Sequence, residues 1–129
     1  MKFLRILPHL PVDDLSAEVA FYRLLGLEIF HRRHNFTSVE DGDGALVHFG
    51  IRKAAGGPPE GFEWKLEVDD IGQAMEIALT KKLEILAEPA LQWYGKWTMK
   101  LRTPNNYVLT LEGMNPNAAS KTNPSSASR

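Results

Sequence analysis

Short runs of alternating apolar and polar residues dominate the chain. In "EWKLEV" (63–68), Trp64, Leu66 and Val68 fall on one side and Glu63, Lys65 and Glu67 on the other. That is the period-two signature of a strand with one buried face. The same rule sets Met99 and Leu101 against Thr98, Lys100 and Arg102, and Leu109 and Leu111 against Val108, Thr110 and Glu112. His48 lies between Val47 and Phe49, both assigned to the core. Two stretches switch to a helical period. Val19, Tyr22 and Leu25 share one face of a helix that Asp14 or Ser16 can cap and Gly26 can end. Ile71, Ala74, Met75 and Ala78 share the buried face of a second helix, capped by Asp70.

Around the first helix the pattern predicts strands over 3–12, "LEIFHRR", "FTSVEDG" and "ALVHFGI", with a tight turn at "DGDG" (41–44). Around the second it predicts "EWKLEV", "LEILAEP", "KWTMKLR" and "YVLTLEG", the last two joined by the turn "TPNN". The two halves therefore read alike. "VDDLSAEVAFYRLLGLEI" and "VDDIGQAMEIALTKKLEI" run in register, with Val12 and Val68 standing 56 positions apart, as do Ile29 and Ile85. The expected fold class is α+β: two βαβββ modules forming a curved mixed sheet around a cleft, with the helices on the outer face. The modules span 1–53 and 62–113, and the Gly- and Pro-rich stretch 54–61 links them within one domain over 1–113. Residues 114–129 are small and polar and predict a disordered tail.

Charge narrows the partners. Net charge is −1, from 15 basic and 16 acidic residues, so no long-range field draws nucleic acid or an anionic membrane to the protein. The absence of Cys excludes disulfides and thiolate metal sites. The N-terminus lacks the features of a signal peptide, and no apolar run reaches the length of a membrane helix, so a cytoplasmic location is expected.

The order of elements, the duplication, and the stretches "LPVDDLSAEVAFYRLLGLE", "ALVHFG", "KLEVDDIGQAM" and "YGKWTMKLRTPNNYVLTLEG" resemble the vicinal oxygen chelate superfamily of glyoxalases, bleomycin resistance proteins and extradiol dioxygenases. The hairpin departs from that pattern, with Thr103 where Asp is usual and Asn106 where Gly is usual; Asn tolerates the positive φ such a turn needs. The resemblance implies a metal held by one residue from each of four strands, here Leu7, His48, Glu63 and Thr110. Only His48 and Glu63 are plausible ligands, so the metal-free bleomycin-resistance-like branch fits better. A shifted set using His9 would place its donor two residues, about 6.6 Å, along the first strand. The resemblance then implies a homodimer that sequesters a small molecule without a cofactor. The alternative is a lyase, isomerase or dioxygenase using Zn, Ni, Mn or Fe.

Candidate ligand contacts follow from the faces. His48 and Glu63 would orient the ligand, with His9, Lys100 and Thr110 on the same predicted wall. That wall reads equally as a solvated sheet face with ion pairs worth under about 1 kcal/mol each. Trp93, Tyr94 and Trp97 crowd "LQWYGKW"; they suit ring stacking, an interface or a core edge. His31, Arg32, Arg33 and His34 read as a solvated turn. The Asp13–Asp14 and Asp69–Asp70 pairs read as helix caps rather than paired catalytic carboxylates.

Overall fold

The computed structural model describes residues 1–41 and 47–114. Ten elements follow in order: β1 His9–Val12, α1 Leu15–Leu24, β2 Glu28–Phe30, β3 Phe36–Glu40, β4 His48–Lys53, β5 Glu63–Glu67, α2 Ile71–Thr80, β6 Glu84–Leu91, β7 Trp97–Arg102 and β8 Val108–Gly113. They make two mixed sheets of four strands, ordered β1-β4-β3-β2 and β5-β8-β7-β6. In each, the first strand of the module runs parallel to the last and the remaining pairs are antiparallel. The expected βαβββ module therefore occurs twice. The chain divides into two compact units, one of residues 1–60 with Pro104–Asn106, the other beginning at Gly61. The turn between β7 and β8 thus packs as part of the first unit rather than with its own strands.

The helices show why the repeat is legible. Asp14 accepts a hydrogen bond from the Ala17 amide at 3.1 Å, and Asp70 accepts one from Gln73 at 3.1 Å. Each carboxylate satisfies a first-turn donor and meets the positive end of the helix dipole. The C-termini match as well. Gly26 follows α1 at φ 103°, and Leu27 N–H closes the turn on the Tyr22 carbonyl at 3.1 Å. Fifty-six positions on, Lys82 takes the left-handed conformation at φ 58°, and Leu83 N–H bonds the Ala78 carbonyl at 2.9 Å. The second copy makes the glycine's turn with a lysine.

Each helix covers one face of its sheet. In the first unit, Val19 and Tyr22 bury against Leu10, Val39, Phe49 and Ile51, with Tyr22 and Phe49 edge to face at 5.0 Å. In the second, Ile71, Ala74 and Ala78 are buried, as are Met99, Leu101, Leu109 and Leu111 on the sheet. Met75 is only half-buried, and so is Leu25. At Gly113 an added Cβ would strike the Val68 backbone carbonyl and crowd the Ile71 side chain, so the end of β8 accepts no side chain there.

Several strand boundaries differ from expectation. β1 begins at His9, not residue 3, because its parallel ladder to β4 starts only where Gly50 N–H meets the Pro8 carbonyl at 2.8 Å. Phe3, Leu4 and Ile6 stay exposed, and Leu7 precedes the strand. β2 stops at Phe30 because His31 adopts φ 49°, outside the β region. β4 runs on to Lys53. From residue 42 on, the expected "DGDG" turn lies outside the described residues, as does the tail beyond Met114.

Candidate functional site

Strand parity leaves one face of each sheet turned away from its helix. On the first sheet, register aligns His9 with Gly50, Gly50 with Ser38, and His48 with Glu40. His48 Nε2 lies 3.5 Å from Glu40 Oε2, and both side chains are largely buried. The carboxylate orients the imidazole with its Nε2 edge outward to Glu40. Nδ1 is then left buried without a hydrogen-bond partner. Gly50 has a steric reason. A Cβ there would come within 2.6 Å of Phe36 Cε1 and Cζ and 3.0 Å of His9 Cδ2. The Phe36 ring lies over that gap, tilted against His9 with centroids 5.2 Å apart. Imidazole and phenyl rings thus share one small surface with the His48–Glu40 pair.

The second face is a lattice of charges. Lys100 bonds Glu63 at 3.2 Å, Lys65 bonds Glu112 at 3.0 Å, Arg102 meets Glu84 at 3.3 Å, and Lys96 pairs with Glu67. Thr110 sits buried between its register partners Lys65 and Lys100. The Tyr94 hydroxyl donates to Glu112, and the Lys65 ammonium stands 5.7 Å from the Tyr94 ring centre. Those contacts move the titrations. Hydrogen bonds from Tyr94 and then Lys65 hold the Glu112 carboxyl below its ordinary range. The bond to Glu112 raises the Lys65 ammonium, and the bond to Glu67 raises Lys96. Gln92 N–H bonds the Lys96 carbonyl at 2.8 Å to close the β6–β7 turn, whose Gly95 takes φ 94°. At its tip Trp93 is 92% exposed and packs edge-on to Tyr94 at 5.2 Å.

Three of the residues read from sequence, Glu63, Lys100 and Thr110, share the second face; His9 and His48 share the first. Trp97 shares the parity of Met99 and Leu101 and belongs to the helix side of β7, apart from Lys100. Four participants were not singled out as contacts: Phe36, Glu40, Gly50 and Glu112. Alternation in "FTSVE" places Phe36 and Glu40 on one face, but only the register sets Glu40 opposite His48.

The four positions that the sequence resemblance implies for a metal fit an ion poorly. Leu7 offers no donor atom, Glu63 is engaged by Lys100, and His48 faces Glu40. Among the described residues no group of three or more His, Asp or Glu is placed to hold a metal. Among them also, no helix is long and apolar enough to cross a membrane.

Two four-stranded mixed sheets, each with one helix, are the fold this chain shares with solved glyoxalase/bleomycin resistance protein/dioxygenase structures. A bleomycin-binding protein complexed with bleomycin matches at TM-score 0.71 and 24% identity, covering 86% of this chain and 98% of that one. The bleomycin resistance determinant encoded on transposon Tn5 matches at 0.71 and 23%, with coverage of 86% and 98%. A glyoxalase/bleomycin resistance protein/dioxygenase from Alicyclobacillus acidocaldarius matches at 0.68 and 16%, with coverage of 94% and 100%. No protein-family model matches the sequence, and no curated protein is significantly similar to it.

Proposed function

We propose that the chain belongs to the glyoxalase/bleomycin resistance/dioxygenase superfamily and binds a small molecule without a metal, as a homodimer in the cytoplasm. The function is sequestration rather than turnover. One observation carries this reading: of the four positions that the resemblance implies for a metal, Leu7 lacks a donor atom and Glu63 is paired with Lys100. The similarity to a bleomycin-binding protein complexed with bleomycin supports a small-molecule ligand. On the first face His9 and Phe36 offer ring contact. On the second, Lys100, Glu63 and Thr110 offer polar contacts, with Trp93 free to stack.

Two measurements test the proposal. Elemental analysis of protein purified without chelators is expected to find metal far below one ion per chain. Thermal-shift screening of glycopeptide antibiotics, bleomycin first, is expected to find a stabilising ligand; one present at 100 times its Kd adds about 2.7 kcal/mol. Near-stoichiometric Zn, Ni, Mn or Fe, lost on His48→Ala, would overturn the proposal. That result would favour a second reading, a metal-dependent lyase, isomerase or dioxygenase with an altered metal site that includes His48. The Nδ1 of His48, which has no hydrogen-bond partner, is the observation that supports it.

A further inference from the structure

A cavity lies on the helix side of the first sheet, opposite the face that carries His48. Its volume is about 540 Å³, and Arg32, Arg33, His34 and Lys53 all line it. The chain holds two of these cations in place through their backbone. Arg33 N–H bonds the Phe36 carbonyl at 2.7 Å, and Lys53 N–H bonds the Asn35 carbonyl at 2.9 Å. The remaining wall is the start of α1 at Leu15 and Ser16, together with Thr37. Thr37 is 2% exposed and takes a core-facing position beside Ile51, where alternation calls for an apolar residue. A polar residue there makes sense if its surroundings are polar in use.

The cations of this cavity contrast with those on the face of the second sheet. In the second unit Lys65, Lys96, Lys100 and Arg102 each have a carboxylate partner. Among the described residues Arg32, Arg33 and Lys53 form no ion pair. Two carboxylates also line the cavity, Asp13 accepting from the Gly56 amide and Asp14 from the Ala17 amide, each at 3.1 Å. The cations Arg32, Arg33 and Lys53 outnumber them, and an arriving anion offsets that excess. Guanidinium groups match oxyanions in geometry as well as charge.

We propose that this cavity binds the phosphate group of a small phosphorylated metabolite, at a site separate from the sheet-face ligand site. The volume favours an ester over the bare ion, since cavities of roughly 300–1,000 Å³ hold whole small molecules. The site does not depend on the proposed sequestration function, and its test does not involve His48 or any antibiotic.

The experiment is an amide NMR titration of the full chain with inorganic phosphate and with glycerol 3-phosphate, sodium chloride serving to match ionic strength. Saturable shifts are expected at Leu15, Ser16 and Thr37. The exposed double change Arg33→Ser/Lys53→Ser is expected to weaken binding by about tenfold or more, as loss of charge-assisted hydrogen bonds does. The control Lys2→Ser/Lys81→Ser removes the same charge at exposed positions outside the cavity and is expected to bind like the parent. Tighter binding of the ester assigns the cavity to phosphorylated metabolites. Equal binding of both probes overturns that assignment in favour of a free-oxyanion site. Shifts that never saturate, or that survive unchanged in Arg33→Ser/Lys53→Ser, overturn the site altogether.

Discussion

Removing the carboxylate of Glu18 should cost this small protein a large part of its stability. Glu18 is 0% exposed on the buried side of α1, and its Oε1 accepts from the Asn105 amide at 3.0 Å and from Asn105 Nδ2 at 2.8 Å. Asn105 in turn reads the backbone of Asp14: Nδ2 donates to its carbonyl at 2.8 Å and Oδ1 accepts from its N–H at 2.9 Å. The turn Pro104–Asn106 is thus tied to the start of α1 by four hydrogen bonds. Glu18→Ala strands two buried donors that had bonded a carboxylate. At about 1.5–3 kcal/mol for each such bond, the loss is about 3–6 kcal/mol. Native domains have only about 5–15 kcal/mol in total. For a chain of this size the melting temperature should fall by about 10–20 °C. Glu18→Gln keeps an acceptor and should lose about 1–2 kcal/mol. The assay is urea unfolding followed by Trp fluorescence, with Asn105→Ala and the double variant completing a cycle. If the pair is coupled, the double variant loses less than the two single losses combined. Glu18→Ala losing under about 1 kcal/mol, or fully additive losses, would refute the reasoning.

Lys82→Gly should stabilise the protein by about 0.5–1 kcal/mol, because φ 58° strains a lysine and suits a glycine, as Gly26 does at the matching turn. A raised urea midpoint at unchanged slope would show this, and a lowered midpoint would contradict it. Glu112 should titrate below the ordinary glutamate range when followed by carboxylate NMR, and Tyr94→Phe should move it upward, since the Tyr94 bond is the leading cause of its depression. The sign for stability follows: the Glu112 contribution is fully present above the ordinary glutamate pKa and is lost as pH falls through the lower folded value. A Glu112 midpoint unchanged by Tyr94→Phe would sink that assignment.

Local chemistry made much of this protein readable before any coordinates. Alternation in "EWKLEV" and "KWTMKLR" set the strand faces, since side chains on a strand point alternately to either side whatever the strand pairs with. Asp14, Asp70 and Gly26 marked helix ends because their side-chain or backbone chemistry acts within a turn of where they stand. The 56-residue repeat carried the fold class, because two copies of one pattern must make two copies of one module. Pairing decided the rest. Whether His48 meets Glu40, Glu63 meets Lys100, or Phe36 covers Gly50 depends on register, and register arises between strands distant in sequence. β1 shortened to His9–Val12 because a strand persists only where a neighbour takes up its backbone hydrogen bonds. Glu18 and Asn105, 87 positions apart, bond only because packing brings them together. Arg32, Arg33 and His34, together with His31, looked like a solvated turn in one dimension. The packing of α1 on its sheet sets Arg32, Arg33, His34 and Lys53 along the wall of one cavity.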